Sequence, residues 1–155
     1  HYTKIIKHHK IYLRGPFMKS NIFVFFFLVT SSVSAHLSDT HTTVQDMKQI
    51  LAVFNKAREW DTTNTPKDLS MALAIEASEL MEVFLRMTDM ESKQVMDSKE
   101  AKIKEEAADV LIYLLCLCNS VGLDISKAVE EKIVVNAKKY PVEKCKGKRV
   151  KYTEL

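Results

Sequence analysis

Histidine is missing from everything beyond His41; the five in the chain are His1, His8, His9, His36 and His41. Ser-His-Asp and Cys-His catalysis, and any zinc or di-iron site built on histidine, are therefore excluded from the body of the protein. Three glycines among 155 residues leave no material for a phosphate-cradling P-loop or a dinucleotide fingerprint, and only three prolines accompany them, against a turn-rich all-β fold. A helical protein is what remains. The three cysteines are odd in number, and Cys116 and Cys118 stand two apart in an apolar run, where helical geometry points them away from each other. They read as reduced core thiols.

Basic charge is also scarce once its position is considered. Residues 1–35 hold five bases (Lys4, Lys7, Lys10, Arg14, Lys19) and no acid, so the rest of the chain carries 18 bases against 20 acids. A slightly acidic body is a poor electrostatic footprint for a nucleic-acid polymer, which is not expected as a partner. The basic amino terminus is of another kind: Met18-Lys19-Ser20-Asn21 leads into eight apolar residues, Ile22 to Val29, and then Thr30 to Ala35. That order reads as a signal-like segment, Met18 to Ala35, or as an upstream extension, and it belongs outside the fold in either case. Eight apolar residues fall well short of the ~20 that span a bilayer as a helix, so no stable membrane span is expected.

The remaining chain divides into a domain over residues 42–141 and a basic tail over 142–155. From Val44 the apolar residues Met47, Ile50, Leu51, Phe54 and Ala57 recur at three and four, predicting a first helix to about Trp60. Thr65-Pro66 predicts a capped start for a second, to about Met87. Residues 88–98 are polar and mixed and read as a loop with at most a turn of helix. A third helix follows from Lys99 to Val121, with Gly122 placed for a left-handed cap, and a fourth from Ile125 to Tyr140, stopped by Pro141. The expected fold is all-α: an antiparallel bundle of about four helices, assembled as a homo-oligomer.

Two acidic pairs interrupt this apolar pattern. Between Leu69 and Leu85 the charged residues are Glu76, Glu79 and Glu82 alone, on a helix apolar nearly all round that should be buried on most sides. Glu106 and Asp109 repeat the i, i+3 spacing on the third helix, just before Val110-Leu-Ile-Tyr113. A single exposed pair of this kind is usually a solvated helix face. Two pairs inside apolar helices require something positive, because an uncompensated buried carboxylate costs several kcal/mol or takes up a proton. Four carboxylates without histidine or thiolate suit a hard cation, Mg2+ or in its place Mn2+, and such ions bind phosphates. Lys132, Asn136, Lys138, Lys139 and Tyr140 on the fourth helix and its end are candidates for phosphate oxygens from the other side. On their own they read equally as helix-end and solubility charges.

These residues together carry a resemblance. Arg58-Glu-Trp60, Pro66-Lys-Asp-Leu-Ser-Met-Ala-Leu73, Glu76-Ala-Ser-Glu79-Leu-Met-Glu82, Glu105-Glu106-Ala-Ala-Asp109-Val-Leu-Ile-Tyr113 and Lys132-Ile-Val-Val-Asn136-Ala-Lys-Lys139-Tyr140-Pro141 resemble the all-α nucleotide pyrophosphohydrolases related to MazG. Within them the likeness is greatest to the eukaryotic dCTP pyrophosphatases, and it extends over about residues 44–155. The resemblance implies a dimer of dimers, Mg2+ held by Glu76, Glu79, Glu106 and Asp109, and cleavage of a nucleoside triphosphate between its α and β phosphates. It also implies an enzyme that sanitises the deoxynucleotide pool, with dCTP and 5-modified dCTP favoured; such pools and the unpaired cysteines point to the cytosol, against the alternative that the signal-like segment Met18 to Ala35 leads to the secretory pathway. Trp60 and Tyr113 stand where that family places aromatics around the base; read without it, they are core residues at a helix end and one turn beyond Asp109. Leu51 and Arg86 depart from the dCTP pattern, replacing a histidine and a tryptophan of the base pocket. The opposing class is a non-catalytic helical protein that binds nucleotides or partner helices.

Overall fold

The computed structural model describes residues 37–155; the signal-like segment Met18 to Ala35 lies outside them. Among the described residues there are helices and no strands: α1 (Val44–Lys56), α2 (Trp60–Thr63), α3 (Pro66–Glu82), α4 (Asp89–Lys93), α5 (Val95–Ser120), α6 (Ile125–Lys139) and α7 (Val142–Cys145), then a 3-10 turn at Tyr152–Glu154. None is by itself long and apolar enough to cross a membrane.

The helix starts are written locally. Thr43, Thr65 and Thr88 each accept from the backbone N–H three residues on, while the side chain there (Asp46, Asp68, Glu91) accepts from the threonine's own N–H. Two otherwise unpaired donors are satisfied at each end, and Pro66 follows Thr65 where its missing N–H costs nothing. At the other end of α5, Gly122 takes φ +64°, and the Leu123 N–H donates to the Cys118 carbonyl at 2.9 Å, the left-handed helix stop that the glycine predicts.

Helix ends differ from the periodicity in three places. The first helix stops at Lys56, not Trp60, because Glu59 adopts a left-handed φ of 57°, which costs a side-chain-bearing residue roughly 1–2 kcal/mol. Arg58 offsets this by donating to the Phe54 carbonyl at 2.9 Å and laying its guanidinium 3.5 Å over the Phe54 ring. The second helix ends at Glu82 and passes through tight turns from Met81 to Met87 instead of continuing. The third begins at Val95, within the stretch expected as a loop, and Lys99 marks a kink in it (φ −130°, ψ 16°) in place of its start.

Packing centres on α3 against α5. Glu76 lies near Tyr113, whereas Glu82 lines a cleft with Lys99 and Lys102, so the two helices run antiparallel. α1 is fastened to α5 by polar contacts: Asn119 Nδ2 donates to the Lys48 carbonyl (2.8 Å), Lys48 Nζ to the Leu123 carbonyl (2.8 Å) and Asn55 Nδ2 to Cys116 Sγ (3.2 Å). Leu69, Val95, Leu115, Cys116 and Cys118 are the buried apolar side chains among the described residues.

The fourth long helix does not complete an antiparallel bundle within one chain, because α6 leaves α5 at a bend of 104° and touches the other helices sparsely. Helix α3 is not buried on most sides either: Leu69 is its one fully buried residue, and Met81 is 60% exposed. In one chain α5 is its main neighbour, which leaves its other faces in solvent.

The cap carboxylates of Asp46 and Asp68 are held below their ordinary range by the threonine hydroxyls first and the threonine N–H groups second; for Glu91 the backbone N–H of Thr88 comes first. A depressed carboxylate stabilises the fold above its unfolded pKa, and that contribution is lost as pH falls through the folded pKa. Thr65→Ala is expected to cost ~1 kcal/mol by denaturant unfolding. The same change should return the Asp68 pKa, followed by NMR, towards the ordinary aspartate value.

Candidate active site

The i, i+3 pairs on two antiparallel helices converge. Carboxylate oxygens of Glu76 and Glu79 on α3 and of Glu106 on α5 lie within 4.8 Å of one another, the first two half-buried and Glu106 only 2% exposed. Asp109 is one turn beyond Glu106 on the same helix. Its carboxyl is raised from the ordinary range by partial burial first, then by the charges of Glu106 and Glu105, with Lys102 acting against them. Tyr113 follows one turn later, its phenol raised by burial and then by Glu76 and Asp109. The acids therefore share one field of like charge, which is the condition that favours a cation.

Lys102 is the residue that the sequence reading overlooked. Its ammonium pairs with Glu106 and, at 3.2 Å, with Glu105, and these contacts, Glu106 first, raise its pKa above the ordinary lysine value. The signal was present as an i, i+4 Lys–Glu spacing. It was masked by the many lysines of this region. Lys102 also lines a cleft of about 310 Å3 with Glu79, Glu82, Val83 and Lys99 beside the acidic cluster. A larger hollow of about 400 Å3, bordered by Val44, Lys48, Asn119 and Asp124, is lined by none of the four acids.

The other candidates lie elsewhere in the single chain. Trp60, 46% exposed, meets the Phe54 ring edge to face at 5.9 Å, under the Arg58 guanidinium. Lys132, Asn136, Lys139 and Tyr140 are exposed on α6 and its end. There Tyr140 meets Tyr152 of the tail at 6.0 Å between ring centroids, and Lys139 Nζ is 4.9 Å from the Tyr152 ring centre. Within one chain the fold brings together Glu76, Glu79 and Glu106, with Asp109 and Tyr113 alongside.

The donor set fits a hard divalent cation. Three convergent carboxylates from opposed helices supply oxygen ligands alone.

Comparison with known proteins gives the same direction. The MazG-like family profile matches residues 71–155. The dCTP pyrophosphatase 1 of Rattus norvegicus is 37% identical over 115 residues, 73% of this chain and 68% of that protein, and its Homo sapiens counterpart is 36% identical over the same shares. Among solved structures, a pyrophosphatase from Archaeoglobus fulgidus superposes with a TM-score of 0.61 at 34% identity, covering 68% of this chain and 99% of that one. The family profile and these relatives make it an enzyme of the nucleoside triphosphate pyrophosphohydrolase class. The chain belongs to the MazG-like family.

Because the Asp109 carboxyl is raised, its ionised form opposes folding when no cation is bound. Asp109→Asn is expected to leave the melting temperature in chelator unchanged or higher. A marked fall would show that Asp109 is a structural partner of a basic group.

Proposed function

We propose that this protein hydrolyses deoxynucleoside triphosphates, dCTP and 5-modified dCTP foremost, to monophosphate and pyrophosphate, and so clears the cytosolic deoxynucleotide pool of unwanted triphosphates. The observation that carries this reading is the convergence of Glu76, Glu79 and Glu106 in a chain similar over most of its length to dCTP pyrophosphatase 1. Glu76, Glu79, Glu106 and Asp109 hold Mg2+, with Mn2+ as a substitute. Held there, such an ion would supply positive charge against the phosphate oxygens and would make water a stronger nucleophile. The carboxylates on the opposed helices fix where the triphosphate's α phosphorus is presented. Tyr113, one turn from Asp109, and Trp60 offer aromatic faces for the base. Lys132, Asn136, Lys139 and Tyr140 supply donors for the outer phosphates. Three free cysteines, two of them buried and one half-buried, suit a reducing compartment.

Base choice turns on Leu51 and Arg86. A pocket rejects a wrong base strongly when buried polar groups are left unpaired by it, whereas an apolar wall separates similar shapes by only ~1–3 kcal/mol. Leu51, half-buried on α1, offers no hydrogen bond, and Arg86 is exposed in the turns after α3. Pyrophosphate release measured across a panel of ribo- and deoxynucleotides with Mg2+ is expected to favour dCTP, with modest discrimination against other deoxynucleotides. Leu51→His with Arg86→Trp should sharpen the cytosine preference, and Glu79→Gln should abolish turnover. Nucleotide binding without pyrophosphate release from any member of the panel would mark a sensor and refute the enzymatic reading.

Assembly as a dimer of dimers belongs to the same proposal. Met71 and Met81 on α3, and Val129, Ile133 and Val134 on α6, are exposed, Met81 to 60% and Ile133 to 61%. An apolar surface of this extent on a lone chain favours association with further copies. Light scattering should give the mass of an oligomer, and a well-behaved monomer would contradict it.

A further inference from the structure

We propose that Lys102 is a built-in counter-ion of the acidic site, which holds the buried Glu106 carboxylate in the metal-free protein and gives it up when a divalent cation enters. The inference rests on the reading that Glu76, Glu79 and Glu106 hold that cation, and it adds a residue which competes for the place. Glu106 is nine-tenths and more buried and belongs both to the Lys102 ion pair and to the convergent carboxylates. A cation drawn to the cluster and the ammonium of Lys102 therefore seek the same carboxylate.

The surroundings of Lys102 suit such an exchange. Its side chain is 49% exposed, so the head group can move without disturbing the core. It already touches a second acceptor, Glu105 Oε2 at 3.2 Å, which is solvent-exposed and not one of the convergent group. On leaving Glu106 the ammonium stays paired to Glu105, and its charge remains at the mouth of the cleft it lines. While it is in place, the Lys102 ammonium offsets the cost of burying the Glu106 side chain. The consequence is a trade: the metal-free site is stabilised, and the affinity for the free cation is lowered.

The test uses Mn2+ alone, titrated by calorimetry into the full chain without nucleotide, with melting temperatures recorded in chelator and in saturating Mn2+. Lys102→Met is expected to bind Mn2+ at least fivefold more tightly than the unaltered protein, to melt lower in chelator, and to recover in Mn2+. Lys99→Met removes a like charge from the same cleft without touching Glu106, and should change Mn2+ affinity less than twofold. Lys102→Gln retains a donor but no charge and should shift affinity in the same direction, so the comparison survives if the methionine variant folds poorly. Unchanged or weaker Mn2+ binding in the Lys102 variants, a gain shared equally by Lys99→Met, or an unchanged melting temperature in chelator would each overturn the proposal. If the unaltered protein takes up no Mn2+, the reading of the acidic cluster as a cation site fails and this inference falls with it. Normal uptake with no special effect of Lys102 removes this inference alone.

Discussion

A carboxylate taken out of water between two helices has to be met by positive charge, and Glu106 imposes that demand where α3 and α5 pack together. Much of the architecture around it follows. The antiparallel run of α3 places Glu76 and Glu79 against it, and the next turn of α5 adds Asp109, so charge of one sign accumulates where the helices are otherwise apolar. Lys102, one turn earlier on α5, answers part of that charge from within the chain. The apolar residues that hold the pair together, Leu69 and Val95, then Leu115, Cys116 and Cys118, contribute no polar group that competes for it. The chemistry of the site and the stability of the helix pair are therefore one problem.

The outer faces pose a second constraint. A helix with nonpolar residues on every side cannot be satisfied by a single neighbour, and α3 has α5 as its main one. With α6 departing at 104°, its valines and Ile133 stay 42–61% exposed in the single chain. The acidic cluster lies complete within one chain, while the residues proposed for the outer phosphates stand on the helix that leaves it.

Local signals proved the most legible. Thr65-Pro66 with Asp68, and Gly122 after Ser120-Val121, mark their helix ends in sequence because capping depends on bonds within three to five residues. The same logic explains what was misjudged. Thr88 and Glu91 form a capping box as plain as the other two and start α4, the turn of helix allowed for within residues 88–98, yet the polar surroundings obscured the first turn of α5. Periodicity carried the first helix through to Trp60, although Arg58 folding back on Phe54 and the left-handed Glu59 end it earlier. A side chain that caps its own helix through a ring and a carbonyl has no signature at a fixed spacing.

By itself the sequence determined the helical class, the residues able to bear the chemistry, and the spacing that sets two carboxylates on one face of each helix. Periodicity and composition act within a helix, so they can be read one helix at a time. Tertiary structure decided which acids meet, that Glu106 is the one taken out of solvent, that Lys102 is its partner, and that α6 turns away instead of closing a bundle. Those outcomes depend on how far one helix slides and tilts against another. That is fixed by side chains distant in the chain, which only the folded protein brings into contact.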